Sequence, residues 1–228
     1  MISICLPYWN RPAALADALQ SYRRHYDYLA MEIVVADDGS SAAPDLAGEW
    51  PWPVRVIHLP PKDVALNPCV PMNEAVAASR GDVLVLSNAE IIHDQSVLPA
   101  MAAELRRLGP KGYVLAAAWC PDDGEWHCHS SIAGNGAGLV RQPPGSGFHF
   151  CAMLTRSLWD AAGGFDEDYR QGAGYDDPDW VNRLARAGAV FRIRDDLVVT
   201  HPRTAARSKW PTGAFERNRA LFFSKWGA

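Results

Sequence analysis

The alternation of short apolar runs with amphipathic helical segments is the feature that most constrains the fold of this chain. The strand candidates are rich in β-branched residues, and the segments between them place apolar residues at helical spacing. This β-α-β alternation predicts an α/β protein with a mostly parallel sheet and helices on both faces. The predicted strands are residues 2–6, 32–36, 54–59, 82–86, 113–119, 148–155, 190–193 and 197–200; the predicted helices begin at Pro12 and Pro178 or span 72–79, 97–108, 156–162 and the tail after Trp210.

Charge, hydropathy and cysteine usage exclude several classes of protein. The net charge of −4 does not fit the basic surface of an obligate nucleic-acid binder. No apolar run approaches the roughly 20 residues that span a bilayer, and the N-terminus is typical of a core strand rather than of a signal peptide. The five scattered cysteines contain no CxxC pair, so a reducing, cytoplasmic location is expected.

Residues 120–147 interrupt the alternation and are predicted to form a loop. His127-Cys128-His129, with Cys120 nearby, suggests zinc, but the spacing fits no standard four-ligand pattern. The glycine-rich residues 134–138 lack the strand-to-helix context of a phosphate loop, so we interpret them as part of the loop.

Polar side chains follow three of the predicted strands, at the point where each strand ends. They occupy residues 7–11, 37–40 and 87–90. In a parallel sheet these exits share one edge, where ligands bind. Aromatic, basic and acidic side chains there suit a base, ribose hydroxyls or a divalent cation. Residues 37–40 alone are also compatible with a plain turn.

The segment 172–180 combines two glycines with three carboxylates at the start of a helix. Pro178 suits the first helical position, which predicts Asp177 as the N-cap, and Gly188 is a natural C-terminal stop. A cap requires one carboxylate, whereas Asp176, Asp177 and Asp179 supply three. On this segment alone, a helix cap with acids that complement the helix dipole and a functional site are both compatible with the sequence, and the rest of the chain decides between them.

Taken together, these motifs resemble those of the GT-A glycosyltransferases, and most closely family 2 of the inverting nucleotide-sugar transferases. The acidic pair after the glycines is similar to the C-terminal motif of galactosyltransferases. The resemblance extends from residue 1 to residue 201, and the segments that carry it are residues 3–11, 34–40, 67–82, 159–167 and 176–177. It implies one GT-A domain over 1–228, with a nucleotide-sugar half (1–110) and an acceptor and catalytic half (111–228).

The resemblance also implies a role for each strand exit. The nucleotide's base and ribose, with uridine as the expected base, would be held by Pro7, Tyr8, Asn10, Arg11, Asp37 and Asp38. Asn73 would lie on the diphosphate-sugar side of the donor.

A divalent metal is implied after the central strand, where the family has Asp-x-Asp. This chain has Asn88-Ala89-Glu90, which offers one carboxylate and one neutral amide oxygen. His201, after the last strand, matches a position where related transferases use an imidazole ligand. Because imidazole suits manganese better than magnesium, Mn²⁺ is expected, with Mg²⁺ as the alternative.

The acidic turn, residues 172–180, is implied by the resemblance to hold the acceptor. Asp177 is expected to be the general base and Asp176 the residue that positions the acceptor, although an alignment slip of one residue would exchange them. Tyr175 and Trp180 are candidates for a sugar-stacking surface, with core packing as the alternative for Trp180.

The resulting interpretation is an inverting transfer of a hexose or N-acetylhexosamine from a UDP-sugar to the hydroxyl of a glycan, a protein or another acceptor. One alternative is a nucleotide-sugar-binding domain without catalysis, suggested by Asn88; another is a nucleotidyltransferase of similar architecture. A modified base in DNA is disfavoured as acceptor by the net charge, but a local basic patch leaves it open. That patch comprises Arg203, Arg207, Lys209, Arg217 and Arg219.

Overall fold

In the described part of the chain, the fold consists of a nine-stranded mixed sheet flanked by six α-helices. The structure is a computed structural model that describes residues 1–41, 43–44, 46, 48–64, 67–132, 139–140, 150–203 and 211–227. The strands are β1 (Ile2–Tyr8), β2 (Met31–Asp37), β3 (Val54–His58), β4 (Val83–Ser87), β5 (Gly112–Cys120), β6 (Glu125–Cys128), β7 (Leu139–Val140), β8 (Cys151–Thr155) and β9 (Val190–Thr200). The helices are α1 (Pro12–Tyr26), α2 (Cys69–Ala78), α3 (Leu98–Leu108), α4 (Arg156–Ala162), α5 (Asp176–Arg186) and α6 (Ala214–Trp226), with a 3₁₀ helix at Glu167–Gln171.

The strand order is β3-β2-β1-β4-β8-β5-β9-β7, with β6 paired to β5. Strands β3, β2, β1 and β4 are parallel neighbours, as are β5 and β9, whereas β8 runs antiparallel between β4 and β5. The predicted α/β architecture is therefore confirmed. Because β1, β2 and β4 are parallel, their C-terminal ends lie on one edge of the sheet, as the sequence predicts.

Helix α1 contributes buried side chains to the hydrophobic core that it shares with the parallel strands. Pro12 begins this helix at its first turn, and the buried side chains Leu15, Leu19, Tyr22 and Tyr26 repeat at helical spacing. The cysteines at 5 and 151 are buried apolar residues of the core, as expected from their apolar neighbours. Among the residues that the structure describes, no helix is long and apolar enough to cross a membrane.

Two secondary-structure predictions are wrong in the second half of the chain. The predicted loop at 120–147 contains β6, which forms a hairpin with β5, and the short strand β7. The two predicted strands at 190–193 and 197–200 are one strand, β9. Its register on β5 shifts, since Ala116 pairs with Arg194 and Ala117 with Val198, so residues 195–197 bulge out without ending the strand. Residues 134–138 lie outside the described part of the chain.

Helix α5 begins earlier than predicted. Its N-cap is Tyr175, in the left-handed conformation at φ 65°, and Asp176 is the first helical residue. The predicted N-cap, Asp177, is therefore inside the first turn. The predicted stop is confirmed, because Gly188 has φ 80° and its N–H donates to Ala185 O.

Candidate functional site

The exits of β1 and β2 are joined to each other by hydrogen bonds. The backbone N–H of Asn10 donates to Ser40 Oγ at 2.9 Å, and its Oδ1 accepts from the backbone N–H of Ser41 at 3.0 Å. Asn10 takes a left-handed conformation, φ 49°, which asparagine tolerates better than most residues. Pro7 and Tyr8 are the last residues of β1, and Tyr8 is buried. Burial raises the pKa of the Tyr8 phenol.

The paired carboxylates after β2 are both buried and both engaged. Asp37 accepts from the backbone N–H of Ser40 at 3.0 Å and lies 3.1 Å from His58 Nδ1. Asp38 forms an ion pair with Lys62. Burial raises the pKa of Asp38, an effect that Lys62 opposes. The structure therefore places these acids at the predicted edge and adds two basic partners.

Glu90 is buried just beyond β4, where it contacts two basic side chains. Its Oε1 lies 2.6 Å from Arg11 Nη1 and 3.3 Å from His201 Nε2. Burial acts to raise the pKa of Glu90, but His201 and Arg11 outweigh it and hold the pKa below its usual range. Three predicted site residues, from the ends of three elements, are thus in direct contact.

A pair of backbone hydrogen bonds brings Glu90 and His201 together. Ile92 and Thr200 form an antiparallel bridge in which each N–H donates to the other's carbonyl at 2.9 Å. The backbone N–H of His201 also donates to Trp119 O at 2.8 Å. The end of β9 is thereby fixed beside the segment that follows β4.

Asn88 and Asn73 have different surroundings. Asn88 begins the turn after β4, and its carbonyl accepts from the backbone N–H of Ile91 at 3.2 Å. The Asn73 amide group donates to Phe165 O at 2.9 Å and to Glu167 Oε1 at 3.0 Å, and accepts from the Phe165 N–H at 2.9 Å. Asn73 therefore joins α2 to the turn before the 3₁₀ helix, and its predicted role near the diphosphate stays a prediction.

The acidic turn is anchored at the carbonyl of Gly174. That oxygen accepts from Asn218 Nδ2 at 2.8 Å and from Asn67 Nδ2 at 3.3 Å. Asp176 is buried. Burial raises the pKa of the Cys69 thiol at the start of α2, and the carboxylate of Asp176 raises it further. The carboxylate of Asp38 also contributes to raising the pKa of Cys69.

Asp179, Trp180 and Tyr175, the other side chains of the acidic turn, contact neighbouring parts of the fold. Asp179 is buried and accepts from Arg183 Nε at 2.6 Å and from Trp226 Nε1 at 2.7 Å. Trp180 is a core residue that stacks on Phe165, so the alternative of core packing is correct for it. The ring of Tyr175, the second candidate for sugar stacking, lies against α6 at Phe215 and Phe222.

The β5–β6 hairpin contributes a second polar cluster next to His201. Cys120, Asp123 and His127 place their ligand atoms within 4.8 Å of one another. His127 Nδ1 lies 2.6 Å from His201 Nδ1, and burial together with the neighbouring His201 lowers the pKa of His127. Of the suggested zinc ligands, Cys128 is buried and His129 stacks on Trp126.

The sequence analysis did not assign His58, Lys62 or Asn218 to the site, and it gave His127 only as a suggested zinc ligand. His58 is the last residue of β3 and Lys62 follows the strand at the same sheet edge, where the strand-exit rule applies equally. His127 follows an Asp-Gly pair at 123–124, a standard hairpin signal. Asn218 carried no signal, because its partners are distant in the chain.

The fold and the site define the class of protein. An open α/β sheet whose strand exits gather carboxylates, with an acidic helix start beside them, is the architecture of the GT-A transferases. A family model described as glycosyl transferase family 2 matches residues 3–158, more than half of the chain. The chain therefore belongs to glycosyl transferase family 2, a family of transferases. A comparison with curated protein sequences found no match.

Solved structures share the fold at low sequence identity. TarS 1–349 from S. aureus, in complex with UDP-GlcNAc, superposes with a TM-score of 0.68 at 13% identity, covering 90% of this chain and 59% of that one. The mannosyltransferase PcManGT from Pyrobaculum calidifontis, in complex with GDP-Man and Mn²⁺, gives a TM-score of 0.66 at 15% identity, covering 97% and 69%. The chain spans 60% of TarS 1–349 and 43% of the longer TarS structure.

Proposed function

We propose that this chain transfers a hexose or N-acetylhexosamine from a UDP-sugar to an acceptor hydroxyl, with inversion at the anomeric carbon. The contact between Glu90 and His201 carries the proposal. It unites the ends of β4 and β9 at the edge where Asp37 and Asp38 also lie. In open α/β sheets this edge is where nucleotides bind.

The donor end is assigned to the exits of β1 and β2. Asp37, Asp38 and Asn10 would bind the base and ribose, and Arg11 would face the diphosphate. The UDP-GlcNAc complex of TarS and the GDP-Man complex of PcManGT, which share the fold, support a nucleotide sugar as donor, and uridine is the base that we propose. On this proposal residues 1–110 bind the donor, and residues 111–228 supply the acceptor side and His201.

A divalent cation is assigned to Glu90 and His201, with the Asn88 side chain as a further oxygen ligand. The residues fit such an ion in their chemistry, because a carboxylate oxygen and the imidazole Nε2 lie 3.3 Å apart; Arg11 Nη1, 2.6 Å from the same oxygen, would turn toward the diphosphate when the ion binds. The mixed nitrogen and oxygen set suits Mn²⁺, with Mg²⁺ as the alternative. When bound, the cation stabilises negative charge on the leaving diphosphate.

The acceptor end is assigned to the first turn of α5. Asp177, half-buried there, would accept the proton of the acceptor hydroxyl as its oxygen bonds to the anomeric carbon. Asp176, which is buried, would position the acceptor. Both carboxylates lie at a helix N-terminus, where the backbone dipoles stabilise negative charge. The acceptor is a glycan, a protein or another hydroxyl compound; of the basic patch that leaves DNA open, residues 207 and 209 lie outside the described part of the chain.

Nucleotide release from a panel of nucleotide sugars with Mn²⁺ tests the proposal, since slow hydrolysis reveals the donor without a known acceptor. UDP-sugars should be turned over in preference to GDP-sugars. Turnover should fall at least ~100-fold in Asp177→Asn, because a general base is worth roughly 10²–10⁴-fold. Asp160→Asn, on an exposed position of α4, is the matched control.

Three results would contradict parts of this assignment. Turnover of folded Asp177→Asn within about threefold of wild type would remove Asp177 as the base. Undiminished turnover after exhaustive EDTA treatment would exclude a divalent cation. Binding of UDP without any turnover would favour the non-catalytic alternative that Asn88 suggests.

A further inference from the structure

Four side chains form a continuous line of contacts that ends at the proposed cation site. Asp123 Oδ2 lies 3.5 Å from His127 Nε2, and His127 Nδ1 lies 2.6 Å from His201 Nδ1. His201 Nε2 lies 3.3 Å from Glu90 Oε1. The line begins in the β5–β6 hairpin, passes the end of β9 and finishes beyond β4.

The short contact between the two imidazoles holds one proton. Two ring nitrogens at hydrogen-bond distance require one to donate and the other to accept. The position of this proton fixes the tautomer of both rings, because a neutral imidazole carries its single proton on one nitrogen.

A cation bound to His201 would fix which atom donates and which accepts in each hydrogen bond of this line. Its Nε2 must then offer a lone pair, so the proton of His201 lies on Nδ1 and is donated to His127 Nδ1. The proton of His127 then lies on Nε2 and faces the Asp123 carboxylate. Metal-bound histidines generally donate their second N–H in this way, and such partners set ring orientation and ligand basicity.

We propose that His127, oriented by Asp123, is a positioning residue that fixes the tautomer of His201 so that Nε2 faces a divalent cation held with Glu90. The inference rests on the proposed function for the presence of that cation. The ring of Phe150 lies 4.6 Å from the ring of His201 and 5.8 Å from that of His127, which packs both imidazoles in this arrangement.

A rival arrangement would place the cation among Cys120, Asp123 and His127. His127 Nε2 would then need the lone pair, its proton would be donated to His201 Nδ1, and His201 would carry its own proton on Nε2. The two arrangements exclude each other, because they share the one proton between the rings. Each arrangement contains a carboxylate that is already paired with an arginine, Asp123 with Arg203 and Glu90 with Arg11, so the choice between them is left to experiment.

The affinity of the full chain for Mn²⁺ alone, measured by electron paramagnetic resonance, separates the arrangements. His127→Leu removes the acceptor and should raise the Kd for Mn²⁺ by ~10-fold or more. His127→Asn places an amide oxygen where Nδ1 lies and should stay within about threefold of wild type, since the acceptor is retained. Cys120→Ser should leave the Kd unchanged.

The contrary results are distinct. Equal affinity in wild type and His127→Leu would overturn the positioning role while leaving the proposed function intact. A loss of affinity in Cys120→Ser would assign the cation to the rival cluster. Wild type that binds no Mn²⁺ would overturn both the inference and the metal assignment.

A measurement on wild type keeps the inference testable if His127→Leu does not fold. Nitrogen-15 spectra of the histidine rings in the presence of Mg²⁺ should show the His201 proton on Nδ1. A proton on Nε2 would contradict the proposal.

Discussion

At the residue scale, Gly39 shapes the turn that follows Asp37 and Asp38. It has φ 78°, and a Cβ at this position would lie 2.2 Å from Pro60 O. Its carbonyl accepts from the backbone N–H of Lys62 at 3.2 Å, which places Lys62 beside Asp38. The sequence suggested a turn here; the close approach of the segment after β3 makes glycine necessary.

Gly39→Ala should destabilise the protein more than Gly124→Ala. Gly124 also has positive φ, 66°, but a Cβ there meets nothing within 4 Å. The left-handed strain common to both should cost about 1 kcal/mol of unfolding free energy. The clash at Gly39 should add about 2 kcal/mol. Urea unfolding measures the difference, and equal losses in the two variants would show that the approach of Pro60 is not restrictive.

At the element scale, helix α6 packs against the acidic turn and forms a hydrogen bond with it. Asn218 is fully buried and donates to Tyr169 O at 3.1 Å and to Gly174 O at 2.8 Å. The aromatic rings of Phe215 and Phe222 lie against Tyr175, whose left-handed backbone starts α5. These contacts offset the strain at Tyr175, and the first helical residue, Asp176, lies two residues before the predicted one, Pro178.

Asn218→Ala should weaken both stability and turnover. Two buried carbonyls lose a donor, which should lower the unfolding free energy by about 2 kcal/mol. A looser acidic turn should also reduce kcat by ~10-fold, since small misplacements of catalytic groups are costly. Ser224→Ala, on an exposed position of the same helix, is the control. Unchanged kcat in a destabilised Asn218→Ala would show that α6 supports the fold but not the catalytic geometry.

The elements of the second half show where local sequence patterns are insufficient. The hairpin of β5 and β6 was predictable from Asp123-Gly124, but the composition of the surrounding segment obscured it. The continuity of β9 was not predictable, because charged residues usually separate strands. Asp195 is accommodated in the bulge by the backbone N–H of Ser130, which donates to Oδ1 at 2.9 Å.

At the scale of the whole molecule, His93 joins three parts of the fold in a fully buried position. Its Nδ1 lies 2.6 Å from the hydroxyl of Tyr26 in α1, and its Nε2 lies 3.8 Å from Cys151 Sγ in β8. The backbone N–H of His93 donates to Ser21 Oγ at 3.0 Å. Burial lowers the pKa of His93 to about 3.

This depressed pKa predicts a loss of stability in acid. The unfolded chain binds a proton at His93 near pH 6.5, whereas the folded chain does so only near pH 3. The contribution of the neutral His93 to the unfolding free energy is therefore fully present above pH 6.5. It is lost as the pH falls from 6.5 toward 3, with a slope on the order of 1 kcal/mol per pH unit. Urea unfolding between pH 7.5 and pH 4.5 measures this slope.

His93→Asn is the control, because its amide oxygen can still accept from the Tyr26 hydroxyl but does not titrate. The unfolding free energy of this variant should fall less steeply as the pH decreases than that of wild type. The two slopes should differ by the uptake of about one proton on unfolding. The same slope in the variant and in wild type would assign the acid sensitivity to other groups.

The sequence by itself determined the strands and helices other than β6, β7 and the continuity of β9, the sheet edge that gathers Asp37, Asp38 and Glu90, and the family. The elements follow from local periodicity and the shared edge from the rule that parallel strands end on one side, whereas the family follows from the resemblance of the ordered motifs to those of known transferases. Only the tertiary structure decided which side chains meet: His201 with Glu90 through the Ile92–Thr200 bridge, and His127 with His201 through the hairpin. The physical reason is that these contacts join segments far apart in the chain, and their distances depend on strand pairing, bulges and packing that no local pattern encodes.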